Sequence, residues 1–211
     1  MSKFLRVLLA SGALALCGAT HAAVINGTIS TIDGNGDGKA QEAKIARVAF
    51  TVSAGTSLLF DSLVYEPTGD LNGDGLITGF DNEMRLFDGS TLLTSNDDSL
   101  LTYGDGSVHP FDSAFYWTFS RAGSYVMTLG QHGYGNDDAL LGYQADLAYK
   151  PIVGYQTFGA WRLGLNLLTG SVGDVHEVGA AEVPEPGTLA LFGMGLACAG
   201  LLRRRFLPKP R

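Results

Sequence analysis

Disulfide chemistry is the first thing this chain lacks. Its 211 residues include two cysteines, Cys17 and Cys198, and none lies in the stretch 24–183. A domain built on that stretch is held by its apolar core, by bound ions, or by both, and about 160 residues suffice for one core without staples. Basic charge is scarce as well. Of fourteen Lys and Arg, seven sit in the two ends (Lys3, Arg6, Arg203, Arg204, Arg205, Lys209 and Arg211), leaving seven in 24–183 against twenty acids, a net charge of −13. Phosphate backbones are bound through basic patches, so nucleic acid is disfavoured as a partner, and so is an anionic membrane surface. Cations and neutral polymers are the natural partners of this stretch.

Catalytic signatures are missing too. There is no Gly-x-Ser-x-Gly elbow, no phosphate-binding loop, no His-Glu-x-x-His pair and no cysteine nucleophile in 24–183. The histidines of this stretch, His109, His132 and His176, read as surface residues; His109 and His132 fall in polar loops that a sandwich would bring to one end. A carboxylate pair for glycoside hydrolysis stays open, because twenty acids offer many pairs. Long helical periods and solenoid repeats are absent.

What is present is clearest at the ends. Lys3 and Arg6 precede an apolar run from Val7 to Cys17, and Thr20 and Ala22 suit cleavage after Ala22 or Ala23. Residues 1–23 therefore read as a secretory signal peptide. A lipobox wants a small residue before its cysteine; Leu16 stands before Cys17. At the other end, Val183-Pro184-Glu185-Pro186 reads as an extended, accessible segment, because neither proline continues a helix or a ladder. The uncharged run Gly187–Leu202 follows, then Arg203-Arg204-Arg205. As a helix that run covers roughly 24 Å, short of the ~30 Å hydrocarbon core. The arginines place its far end in the cytoplasm. A short span with a basic stop suits transient retention followed by cleavage.

These residues, 183–211, resemble the PEP-CTERM protein-sorting signal of bacteria with an outer membrane. The resemblance implies a substrate of an exosortase, transiently anchored in the inner membrane by a transmembrane helix over 187–202, then released to the cell surface or beyond. It also implies a link to exopolysaccharide or biofilm.

Between the ends, strand signals dominate. They cover Val24–Ile32, Arg47–Ser53 with Val48, Phe50 and Val52 on one face, Ser57–Tyr65, Glu83–Phe87, Thr91–Thr94, Ser113–Phe119 and Ser124–Leu129. Weaker strand signals follow at Asp146–Tyr149, Tyr155–Phe158 and Trp161–Leu168. Ala40–Ala46 reads as a helical turn, Pro67–Gly79 and Gly133–Gly142 as polar loops, and 170–182 as a linker. Short strands with turns every eight to twelve residues predict an all-β domain over 24–169. We expect an antiparallel β-sandwich, jelly-roll-like, flanked by an N-terminal signal helix and the C-terminal transmembrane helix.

A second resemblance lies inside the sandwich. Phe50–Gly55, Gly79-Phe80-Asp81 leading to Arg85–Gly89, Asn96-Asp97-Asp98, and Asp112-Ser113 leading to Arg121–Tyr125 look like bacterial pre-peptidase C-terminal domains over about residues 46–129. Such modules resemble carbohydrate-binding sandwiches.

One loop has ion-binding spacing. With Asp70 as position one, Asn72 and Asp74 fall at three and five, Gly75 at six, the Leu76 carbonyl at seven, Thr78 at nine and Asp81 at twelve. That is calcium-loop spacing with Asp in place of the closing Glu, as in dockerin-like repeats, and it makes Ca²⁺ the expected cofactor. The alternative is a turn whose side chains cap their own backbone. Asp33-Gly34-Asn35-Gly36-Asp37-Gly38 repeats the first half; Lys44 stands at its position twelve, and Glu42 would serve only on another loop path. Tyr103, Phe111, Tyr116, Tyr134, Tyr143, Tyr149, Tyr155 and Trp161 include several that period two turns outward, where aromatics with Asp and Asn hold sugars. The expected function is that of an exported, non-enzymatic surface or matrix protein. The alternative is a polysaccharide-binding module or a polysaccharide-acting hydrolase.

Overall fold

The computed structural model describes residues 23–65, 70–71, 73–99, 110–145 and 147–179. The expected signal peptide and the expected sorting tail with its span lie outside them, as do Asn72, Tyr103, His109 and Asp146. Among the described residues no helix is long and apolar enough to cross a membrane.

Among the described residues, eleven strands and one short helix follow in order: β1 Ala23–Ile32, β2 Glu42–Lys44, β3 Ala46–Val52, β4 Ser57–Leu63, β5 Asn82–Asp88, β6 Thr91–Asn96, β7 Ala114–Thr118, β8 Gly123–Gln131, α1 Asn136–Leu141, β9 Tyr143–Gln144, β10 Phe158–Thr169 and β11 Val172–Glu177. They form two sheets. The first has the order β7-β4-β10-β1-β2-β9, the second β11-β3-β8-β5-β6. Every ladder between named strands is antiparallel. The expectation of an antiparallel two-sheet sandwich is met.

The alternation that predicts the strands also fills the core. Val48, Phe50 and Val52 of β3 face inward with Tyr125, Met127 and Leu129 of β8 and Met84 and Leu86 of β5. From the other sheet come Leu58 and Phe60 of β4, and Trp161, Leu163 and Leu165 of β10. Rings meet at the centre: Phe119 lies 4.5 Å from Tyr125 and 5.9 Å from Phe50 between centroids, and Phe50 lies 5.6 Å from Phe60. Such pairs contribute about 0.5–1.5 kcal/mol each beyond the area they bury.

Four sequence expectations change. Glu42–Lys44 is a strand, not a helical turn, because Thr31 and Ile32 pair with it on one side and β9 on the other. Gly133–Gly142 carries α1, which ends at Gly142 in the left-handed conformation. Tyr155–Gln156 lies outside any strand, and a single long strand runs from Phe158. The stretch 170–182 is more than a linker: β11 pairs with β3 and edges the second sheet, so the sandwich extends through Glu177.

Candidate functional site

The outer face of the first sheet holds a trough. Residues opposite one another across a ladder share a face, so Val24, Gly164, Asp61 and Ala114 form one row across β1, β10, β4 and β7. Asn166, Leu59 and Tyr116 form the next row, and Asn26, Arg162 and Leu63 the row on the other side. Gly164 and Ala114 are small between longer neighbours, which sinks the sheet surface there. The trough has a volume of about 310 Å³ and is lined by Val24, Asp61, Arg162, Gly164 and Asn166. Tyr116 stands beside it with 55 % of its surface exposed. The arrangement offers an aromatic face, a guanidinium, an amide and a carboxylate over a glycine floor.

Of the other aromatics named above, three of the six described are buried, and Phe111 and Tyr143 are half-buried. Trp161 and Tyr134 are fully enclosed and Tyr149 is buried. Tyr155 is fully exposed, but it lies on a loop away from the ladder rows. Trp161, one of the aromatics among which outward-facing ones were expected, packs in the core because β10 puts Arg162, Gly164 and Asn166 outside.

A second group of polar residues sits where β5 begins and β6 and β8 end. Asp97 follows β6 and His132 follows β8; the His132 ring Nδ1 and Asp97 Oδ1 lie 2.6 Å apart. Glu83 completes one close group of three with them, and Asp81 and Asp98 form another with Asp97. Glu83 is already engaged: Arg85 lies 2.6 Å from its Oε1, and the Gly133 N–H donates to its Oε2. The hydrogen bond to Asp97 holds the His132 pKa above its ordinary value; partial desolvation opposes this, and the charges of Asp97, Asp81 and Glu83 add to it. This ion pair fastens the end of β6 to the end of β8.

The loop with calcium spacing folds tightly on Asp70. Its Oδ1 accepts from the backbone N–H of Gly73 at 2.6 Å and of Asp74 at 3.2 Å, and its Oδ2 accepts from Gly75 at 2.6 Å. Asp74 Oδ1 accepts from Leu76 N–H at 2.8 Å. Gly75 has φ +80°, a conformation that favours glycine at this sixth position. Thr78 is buried, and its hydroxyl accepts from Ala160 N–H. Asp81 meets Asp97 and Asp98.

The loop at 33–38 repeats the pattern. Asp33 accepts from Gly38 N–H five residues on, and Asp37 from Lys39 N–H two residues on. Glu42 is buried and folds back over the loop, accepting from Gly34 N–H and Asn35 Nδ2. Sequence reasoning missed Gly164 as a floor and Arg47 as a buried cation; both sit in strand patterns whose outward positions read as ordinary surface.

Residues 182–205 match the family model of the PEP-CTERM protein-sorting motif. The motif implies an exported protein that an exosortase processes and sorts to the cell surface. No curated protein matches the chain. Nothing in these comparisons supports the likeness of residues 46–129 to pre-peptidase C-terminal domains.

Proposed function

We propose that this chain is a non-enzymatic surface protein whose sandwich holds matrix polysaccharide on the outer face of its six-stranded sheet. The C-terminal motif delivers it; the trough around Gly164 does the holding. The observation that carries this reading is the pairing of the exposed Tyr116 ring with a polar trough one ladder row away. A sugar ring stacks its C–H face on an aromatic, and its hydroxyls exchange hydrogen bonds with amide, guanidinium and carboxylate. Asp61 is the one carboxylate among the lining residues. Glycoside hydrolysis by two carboxylates needs a pair, which favours holding over cleaving here.

The strong negative charge of the exported stretch suits a neutral polymer or one bridged by cations. The turn at 70–81 takes Ca²⁺ in this reading, through Asp70, Asn72, Asp74, the Leu76 carbonyl and Asp81, and stiffens the connection between β4 and β5. The supporting feature is the ligand spacing, together with the glycine at position six. The role belongs to an exopolysaccharide or biofilm matrix. The test is affinity electrophoresis of the exported domain through gels containing the host's own exopolysaccharide. Retardation is expected for the wild type and loss of it for Tyr116→Ala. Equal retardation of wild type, Tyr116→Ala and Arg162→Ala would remove the trough from the reading.

A further inference from the structure

Where β2 passes into β3, between residues of both sheets, lies a cavity of about 220 Å³, lined by Ile32, Lys44, Ile45, Arg47, Gly142, Glu177, Val178 and Gly179. Its walls are mainly apolar, from Ile32, Ile45 and Val178. Two cations face it. Lys44 is answered by Glu177, with Nζ and Oε1 2.7 Å apart. Arg47 is not answered. Only 6 % of Arg47 is exposed, and its Nε and Nη1 are buried without a hydrogen-bond partner.

The sequence forces Arg47 into this position. Ala46 and Val48 on either side of it are core residues, so alternation turns Arg47 to the outer face of β3. There Gly142, left-handed after α1, passes close over its stem: a Cβ on Gly142 would lie 3.4 Å from Arg47 Cδ. Val178 closes the other side by donating its N–H to the Arg47 carbonyl at 2.7 Å. A buried lysine can escape its desolvation cost by losing a proton. Arginine keeps its charge in proteins, so an enclosed guanidinium needs an anion beside it.

We propose that this cavity is a binding site for a single carboxylate, held by the planar donors of Arg47 with its aliphatic part against Ile32, Ile45 and Val178. One charge is left over once Lys44 and Glu177 are paired, which matches a monoanion. The planar guanidinium matches a carboxylate in shape. The cavity volume admits a short acyl carboxylate. The occupant is a free small acid of this size.

The test is the thermal midpoint of the exported protein carrying its C-terminal residues, titrated with sodium propionate against sodium chloride at equal ionic strength. The comparison is Arg47→Met. Propionate at 100-fold excess over its Kd raises the wild-type midpoint by about 5–10 °C and leaves Arg47→Met unmoved. Should Arg47→Met fail to fold, the Arg47 Nε–H resonance of the wild type, shifted by propionate and not by chloride, reports the same binding. The site is overturned if propionate moves neither the wild-type midpoint nor that resonance.

Discussion

The indole of Trp161 lies against the backbone of Gly27, its partner across the β1–β10 ladder, so closely that a Cβ on Gly27 would overlap the ring. Trp161 is the largest fully buried side chain of the sandwich. A strand of alternating residues leaves room for it only because position 27 carries no side chain. Gly27→Ala is expected to destabilise the domain by about 1–3 kcal/mol through overpacking. Urea denaturation followed by tryptophan fluorescence checks this; an unchanged midpoint would mean the indole has another place to go.

The trough predicts a separation of binding from stability. At Gly164 an added Cβ meets the end of Asn166 at 3.1 Å, a flexible side chain that can turn away. Gly164→Leu is therefore expected to fold, with a change in stability of about 1 kcal/mol or less. The same side chain fills the trough floor, and retardation by polysaccharide should fall at least tenfold. Both readouts come from one preparation, by denaturation and affinity electrophoresis.

His132 and Asp97 make stability depend on pH with a definite sign. The folded-state pKa of His132 is raised, chiefly by its hydrogen bond to Asp97. The pair's contribution is thus fully present below the unfolded histidine pKa of about 6.5, and is lost as pH rises through the higher folded value. The stability gap between wild type and Asp97→Asn should shrink from pH 6 to pH 9. Both side chains are about half exposed, so the effect is modest. An NMR titration should show the His132 pKa falling in Asp97→Asn; an equal pKa in both proteins would break the argument.

Asp70 and Asp74 separate loop capping from ion binding. Asp70 accepts from the N–H groups of Gly73, Asp74 and Gly75, and Asp74 from that of Leu76. In chelator, Asp70→Ala should cost about 1–2 kcal/mol, because the backbone donors it caps are orphaned. Calorimetric titration of the wild type with Ca²⁺ should give heat that Asp74→Ala abolishes. Absence of heat in the wild type would leave capping as the loop's whole role.

The strands with inward Val, Phe, Met and Tyr at every second position were legible because burial and period agree there. Val48-Phe50-Val52 and Tyr125-Met127-Leu129 needed no tertiary knowledge. β11 was hidden. It is an edge strand, its pairing slips between Gly173 and His176, and Asp174 takes φ +51°, so no alternation survives. α1 has six residues, too few for a helical period to show. Glu42–Lys44 carries helix-favouring residues and becomes a strand through its neighbours alone. Arg47 illustrates the limit for sites. Its outward position followed from the pattern, but its enclosure comes from Gly142 and Val178, which are far from it in the chain.

The ladder between β1 and β10 joins Ala23 to Leu165. The first strand of the domain thus has no neighbour on that side until almost the last has been made. A chain threaded through a translocation channel N-terminus first would wait, its opening strand solvated and exposed to proteases, while the rest emerges. Closure of the six-stranded sheet is then a late event on the far side of the membrane. Factors that shelter unfolded chains there should influence its yield more than those inside the cell.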